Sequence, residues 1–100
     1  MIHHIVMWKL KETANGKSKA ENAQIMKDRL EGLTEILPEI IELRVGLNIE
    51  NEYSNFDIVL HSYFKTMEDY FIYQKHPEHE AIGNWVFTIR EERFCVDYEF

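Results

Sequence analysis

The first residues of the chain alternate between two faces, as a β-strand that is buried on at least one side does. The side chains expected to face a core are Ile2, His4, Val6, Trp8 and Leu10. The opposite face is also apolar in its middle, at Ile5 and Met7. This pattern predicts a first strand over residues 2–10, both faces of which need cover.

Residues 13–16 are predicted to form a loop, and the apolar residues after it recur with the period of a helix. Ser18 and Glu21 have the spacing of a capping box, in which the serine hydroxyl accepts a hydrogen bond from the Glu21 amide. Apolar residues then recur in steps of three and four: Ala23, Met26, Leu30, Leu33 and Leu37. Because Pro38 cannot continue a helix, the sequence predicts one amphipathic helix that ends near Leu37.

Two strands and two helical pieces are predicted in the middle of the chain. Residues 41–49 alternate, with Leu43, Val45, Leu47 and Ile49 expected to face inward. A turn-rich segment at 51–55 leads to a second alternating run that begins at Phe56, which predicts a hairpin. Thr66 begins a helix that runs to Lys75, and Pro77 occupies the first position of another helical piece.

The last residues, 94–100, alternate again and predict a fourth strand. The order β-α-β-β-α-β is that of the α+β ferredoxin-like fold, in which two helices cover one face of an antiparallel sheet. We expect residues 1–100 to form one domain. The uncovered face would hold Ile5, Met7, Val59 and Tyr63, an apolar patch of the kind that marks an interface. We therefore expect a homodimer in which two such faces close an α/β barrel.

Composition narrows the choice of partners. With 11 Lys and Arg against 18 Asp and Glu, the net charge is −7, which disfavours nucleic acid and anionic membrane surfaces. No apolar run is long enough for a membrane span, and the first residues lack the pattern of a signal peptide. The single cysteine, Cys95, fits the reducing cytoplasm, and we expect it to be a small buried residue.

The segment from Tyr73 to His79 carries the residue types of acid–base chemistry. A histidine near neutral pKa can take a proton from carbon next to a carbonyl, while a tyrosine hydroxyl donates to the carbonyl oxygen. The break at Pro77 would let His76 and His79 both face the sheet. The alternative is that His76 caps a helix end and His79 is solvated. His4, on an apolar face, is either a hydrogen-bonded core residue or a ligand contact.

Metal, cofactor and nucleotide sites have little support in the sequence. His76 and His79 have a usable helical spacing, but the chain has no second cysteine to complete a zinc site. His3 and His4 point to opposite faces of a strand and cannot share one metal. The glycines are isolated, which excludes a standard phosphate-binding loop. We expect no metal and no cofactor.

Four motifs in order resemble the stress-responsive A/B barrel (Dabb) family. They are the opening strand from Ile2 to Lys11, Leu37-Pro38 followed by Val45-Gly46, the segment from Tyr73 through His79, and Val96-Asp97-Tyr98. The resemblance covers nearly the whole chain. It implies a homodimer of ferredoxin-like units that closes a dimeric α+β barrel.

The chain is distantly similar to one plant branch of that family, the olivetolic acid cyclases, which close a polyketide chain by a cofactor-free aldol reaction. The similarity implies that His79 is the base and Tyr73 the donor to the carbonyl. The implied ligand contacts, between sheet and helices, are His4, Val6, Trp8, Met26, Leu30, Leu60 and His76. Trp8, Lys27 and Arg90 depart from that branch, and Trp8 is bulky enough to fill the space of a polyketide tail, so a smaller ligand or no ligand is expected.

Three functions remain open from the sequence. The first is binding of a small carbonyl-containing or aromatic molecule, with cyclase-like or isomerase-like chemistry at His79 and Tyr73. The second is a non-enzymatic stress protein that acts through a stable dimer or larger assembly. The third is a cofactor-free monooxygenase on the same architecture. An apolar cavity that His79 and Tyr73 reach would favour the first or third, and a cavity filled by Trp8 would favour the second.

Overall fold

The computed structural model describes residues 1–100. Its elements in chain order are β1 (Ile2–Leu10), β2 (Thr13–Ala14), β3 (Lys17–Ser18), α1 (Lys19–Glu31), β4 (Ile40–Leu47), β5 (Ile58–Phe64), α2 (Met67–Lys75), α3 (Pro77–Ile89) and β6 (Arg90–Glu99). Strands β2 and β3 form a small hairpin within the predicted loop. The predicted hairpin of the two middle strands is confirmed, because β4 and β5 pair antiparallel.

The main sheet has the strand order β4-β5-β1-β6, and all its neighbours are antiparallel. The N-terminal strand therefore lies in the interior of the sheet and is paired along both of its edges. The helices lie against one face only. This arrangement confirms the ferredoxin-like α+β fold predicted from the order of the elements.

Local hydrogen bonds fix where the helices begin. The Glu21 amide donates to the Ser18 hydroxyl at 3.2 Å, and the Ser18 amide donates to the Glu21 carboxylate at 3.0 Å, so the predicted capping box is present. The predicted end near Leu37 was wrong: the α-helix ends at Glu31, and a separate 3-10 turn follows over Gly32–Glu35. No helix combines the length and the apolar composition that crossing a membrane requires.

The core fills the space between the helices and the covered face of the sheet. The largest fully buried apolar side chains are Tyr73, Phe64, Leu10, Met26, Leu33, Leu60 and Ile89. Burying a side chain of this size contributes about 1.5–3 kcal/mol. The core thus holds α2 and α3 against the sheet at the point where the Tyr73-to-His79 segment turns.

Three expectations about the strands were wrong. Leu47 and Ile49 are exposed instead of buried, by 40% and 83%, because strand pairing ends where Leu47 meets Ile58. The last strand begins at Arg90 rather than at residue 94. Cys95 is exposed rather than buried, because β6 is an edge strand.

The second face of the sheet, which we call the open face, has no helix over it. Met7 is 42% exposed there and Val59 41%, while Ile5 and Tyr63 are partly buried by their neighbours on the sheet. Strand β6 enlarges this apolar surface with Phe94, Val96 and Tyr98. An uncovered apolar sheet face of this extent is the signature of an interaction surface.

Candidate active site

A cavity of about 310 Å³ lies between the covered face of the sheet and α3. Its apolar walls are formed by Val6, Trp8, Leu30, Leu60, Ile82 and Val86. The same space is lined by three side chains that can transfer protons or form hydrogen bonds: His4, Tyr73 and His79. Trp8 forms one wall, and it leaves the space beside these three groups open.

Tyr73 and His79 come together because the chain turns between α2 and α3. Pro77 starts the second helix at its first position, and the two rings lie with their centroids 4.3 Å apart. Burial raises the pKa of the Tyr73 hydroxyl well above its ordinary value. Tyr73 therefore remains protonated near neutral pH and can act only as a hydrogen-bond donor or weak acid.

The protonation of His79 is set by its position after the turn. Its Nδ1 lies 3.3 Å from the carbonyl oxygen of Gln74, which can only accept, so Nδ1 carries the proton. Burial lowers the pKa of His79 and outweighs the opposing effect of this hydrogen bond. His79 is therefore a neutral imidazole near pH 7, with an unprotonated Nε2 that can serve as a base.

His4 belongs to a second network at the same cavity. Its Nδ1 lies 2.5 Å from Oδ1 of Asp97, and the Tyr70 hydroxyl donates to Oδ2 of Asp97 at 2.8 Å. Gln74 Nε2 in turn donates to the Tyr70 oxygen at 2.9 Å. Because Nδ1 donates to the carboxylate, Nε2 of His4 is the acceptor nitrogen.

Charge in this second network is confined to Asp97. Burial lowers the pKa of His4, although the hydrogen bond to Asp97 opposes it. Burial acts to raise the pKa of Asp97, but the hydrogen bonds from His4 and Tyr70 outweigh it, so that pKa is lowered. The result is a neutral imidazole beside an ionised carboxylate. Asp97 fixes the tautomer of His4 without supplying a proton itself.

Two residues that were expected at the ligand lie elsewhere. His76 accepts a hydrogen bond from the Glu78 amide at 3.1 Å and caps α3, which is the alternative the sequence left open for it. Met26 is fully buried in the core and does not line the cavity. The sequence reasoning also missed Tyr70 and Asp97. Asp97 meets His4 through the pairing register of β1 with β6, and Tyr70 reaches Asp97 from α2.

His4, Cys95 and Asp97 are the one group of metal-ligating side chain types, with ligand atoms within 4.8 Å of one another. The cysteine sulfur lies 3.5 Å from Nδ1 of His4 and 3.7 Å from Oδ1 of Asp97. Burial raises the pKa of the Cys95 thiol, so the thiolate that a metal prefers is disfavoured. In this structure the three side chains form a hydrogen-bonded network.

A second, larger space of about 520 Å³ lies on the open face, beside Met7, Gly46 and Val59. Its lining contains no titratable side chain. This space therefore offers no side chain for proton transfer.

Comparison with solved structures gives the same fold across the whole chain. A dimeric ferredoxin-like protein of unknown function from Bacteroides fragilis is 35% identical, with a TM-score of 0.87, and the match covers 99% of this chain and 95% of that one. A hydroxynitrile lyase from Passiflora edulis is 20% identical over 97% of this chain and 90% of that one, with a TM-score of 0.78.

A putative antibiotic biosynthesis monooxygenase from Nitrosomonas europaea is 17% identical, with a TM-score of 0.75, over 100% of this chain and 98% of that one. No curated protein sequence matches significantly. The sequence profile of the stress responsive A/B barrel domain matches residues 2–100. The chain therefore belongs to the stress responsive A/B barrel domain family, as its four motifs predicted.

Proposed function

We propose that the cavity binds a small carbonyl compound and catalyses proton transfer at the carbon next to the carbonyl, without a cofactor. The observation that carries this proposal is the pairing of a neutral base with a protonated donor. His79 offers an unprotonated Nε2, and Tyr73 offers a hydroxyl that remains protonated, at one apolar cavity. Apolar walls exclude water and strengthen both interactions.

In the proposed reaction, His79 Nε2 takes a proton from the carbon next to the carbonyl. The electron pair of the broken C–H bond moves into the carbonyl group and gives an enolate, whose oxygen accepts a hydrogen bond from Tyr73. The imidazolium then returns its proton to the enolate at oxygen or at another carbon, which yields an isomer. Attack of the enolate carbon on a second carbonyl of the same molecule would instead close a ring, and the alkoxide formed from that carbonyl would take the proton from the His79 imidazolium.

The cavity supports a small ligand rather than a long one. Pockets that hold small molecules usually measure about 300–1,000 Å³, and this one, at about 310 Å³, lies at the lower end. Trp8 limits its extent on the sheet side. The Passiflora edulis relative is a hydroxynitrile lyase, and at 20% identity it supports the fold alone. The monooxygenase resemblance, at 17% identity, supports the fold alone.

The test is deuterium exchange at the carbons next to the carbonyl of small ketones in D2O, followed by proton NMR, with benzylacetone as the first probe. We expect the protein to accelerate this exchange and Tyr73→Phe to lose about 10²-fold of the acceleration, because the enolate oxygen loses its donor. Tyr53→Phe, in an exposed loop, is the matched control and should retain the full rate. Exchange no faster than in buffer for every ketone tested, or a Tyr73→Phe variant as fast as the parent, would contradict the proposal.

We also propose that two copies of the chain pack their open faces together and close the α/β barrel. The apolar surface around Met7, Val59 and Val96 needs cover, and the 35% identical relative from Bacteroides fragilis is dimeric. Dimerisation would bury the open face and leave the cavity, on the other side of the sheet, accessible.

A further inference from the structure

An irregularity in β6 places two arginines on the same side of the sheet. Lys9 pairs with Glu92 and Leu10 pairs with Arg90, so Glu91 is an extra residue opposite β1. In a regular strand, residues three apart point to opposite faces. Because the bulge adds one residue, Glu91, between them, Arg90 and Arg93 instead both lie on the covered face, where they line the cavity.

Both arginines line the cavity, and neither takes part in any ion pair of the chain. Arg90 stacks its guanidinium over the Phe87 ring, 5.0 Å from the ring centroid, and Phe87 is also part of the cavity wall. Arg90 is partly exposed and Arg93 is exposed, so the two lie where the cavity meets solvent. The chain as a whole has a net charge of −7, whereas the opening of the cavity carries two positive charges without an ion-pair partner.

Arg93 is also close to the acid–base groups. It pairs with Trp8 across the strands, and its charge adds to burial, the larger cause, in lowering the pKa of His4 and of His79. Arginine binds carboxylates through two parallel hydrogen bonds and retains its charge at all working pH values. The opening of the cavity is therefore suited to an anionic group, while its interior is suited to a neutral apolar one.

We propose that the ligand of this cavity is a small carboxylate-bearing carbonyl compound, whose carboxylate binds Arg90 and Arg93 at the opening while its carbonyl reaches Tyr73 and His79. This inference rests on the proposed proton-transfer function and adds the substrate class to it. No covalent step beyond that proton transfer is involved. The arginines bind and orient the ligand.

A matched pair of probes tests the carboxylate preference. 2-Oxo-4-phenylbutanoate carries a carboxylate where benzylacetone carries a methyl group, and the two are otherwise alike. In calorimetric titrations we expect the parent protein to bind the keto acid at least tenfold more tightly than the ketone. We expect Arg90→Gln/Arg93→Gln to reduce this ratio to about one, and Arg90→Lys/Arg93→Lys to retain part of it.

The control is Lys17→Gln/Lys65→Gln, which removes the same charge from exposed positions that do not line the cavity and should keep the full ratio. Equal binding of the two probes to the parent protein, or a ratio unchanged in Arg90→Gln/Arg93→Gln, would overturn the inference. The deuterium exchange of benzylacetone reports separately on the proton transfer. Exchange without a preference for the keto acid contradicts the carboxylate site alone, and a preference without exchange contradicts the proposed reaction alone.

Discussion

We expect His79→Ala to lower the rate of ketone deuterium exchange by about 10²–10⁴-fold, the usual contribution of a positioned general base. Nδ1 of His79 donates its proton to the Gln74 carbonyl oxygen, so Nε2 is the unprotonated nitrogen that is left to act as a base at the cavity. Removal of the ring should leave the fold intact, because His79 is only partly buried and lies outside the apolar core. The measurement is the exchange rate by proton NMR, with circular dichroism to verify folding.

His76→Asn is the matched control for this variant. It removes the other imidazole of the segment, and asparagine retains the ability to cap α3. We expect it to exchange ketones at the parent rate. An exchange rate in His79→Ala equal to that of the parent would remove His79 from the mechanism.

The dependence of the parent's rate on pH follows from the same residue. Proton abstraction requires neutral His79, so the rate rises with pH through the pKa of His79 and is constant above it. Burial lowers this pKa below the ordinary histidine value of about 6.5. The rate should therefore be on its plateau at pH 7 and should fall only when the pH approaches the lowered pKa of His79, which lies below that ordinary value.

Val96→Asp should convert the dimer to a monomer at micromolar concentration. Val96 pairs with Ile5 on the open face and is 55% exposed in the single chain. A carboxylate buried there without a partner would cost several kcal/mol in the dimer and little in the monomer. Light scattering at fixed protomer concentration measures the change in mass.

Ile72→Asp is the control for the open face. Ile72, on α2, is 41% exposed and lies away from that face, so this variant should have the mass of the parent. A parent that is monomeric at micromolar concentration, or a Val96→Asp variant that has the mass of a dimer, would contradict the packing of the two open faces.

Much of the fold could be read from the sequence because its signals are local. Alternation in β1, the capping box at Ser18 and the break at Pro77 each depend on a few neighbouring residues, and each of these three features is present. The prediction from alternation was wrong at Ile49, because the apolar pattern continues to that residue but strand pairing ends before it. The period of apolar residues predicts which face of a strand a side chain lies on, but it does not predict whether another element covers that face.

The candidate site was predictable only as far as its residues follow one another in the chain. Tyr73 and His79 are six residues apart, and the proline between them predicts a turn. The partnership of His4 with Asp97 spans 93 residues and depends on the register of two paired strands. The placement of Arg90 beside Arg93 depends on a single extra residue, Glu91, whereas simple alternation would put the two arginines on opposite faces. Register and bulges are properties of strand pairing, and one strand's sequence does not contain them.

The most direct test of the account is a crystal structure of the parent protein with 2-oxo-4-phenylbutanoate. We expect the ligand in the cavity between the sheet and α3, with its carboxylate on Arg90 and Arg93. Its carbonyl oxygen should lie within about 2.5–3.0 Å of the Tyr73 hydroxyl, a hydrogen-bond distance, and the adjacent carbon should face His79. A ligand bound instead in the space beside Met7 on the open face, or a cavity without ligand at saturating concentration, would contradict it.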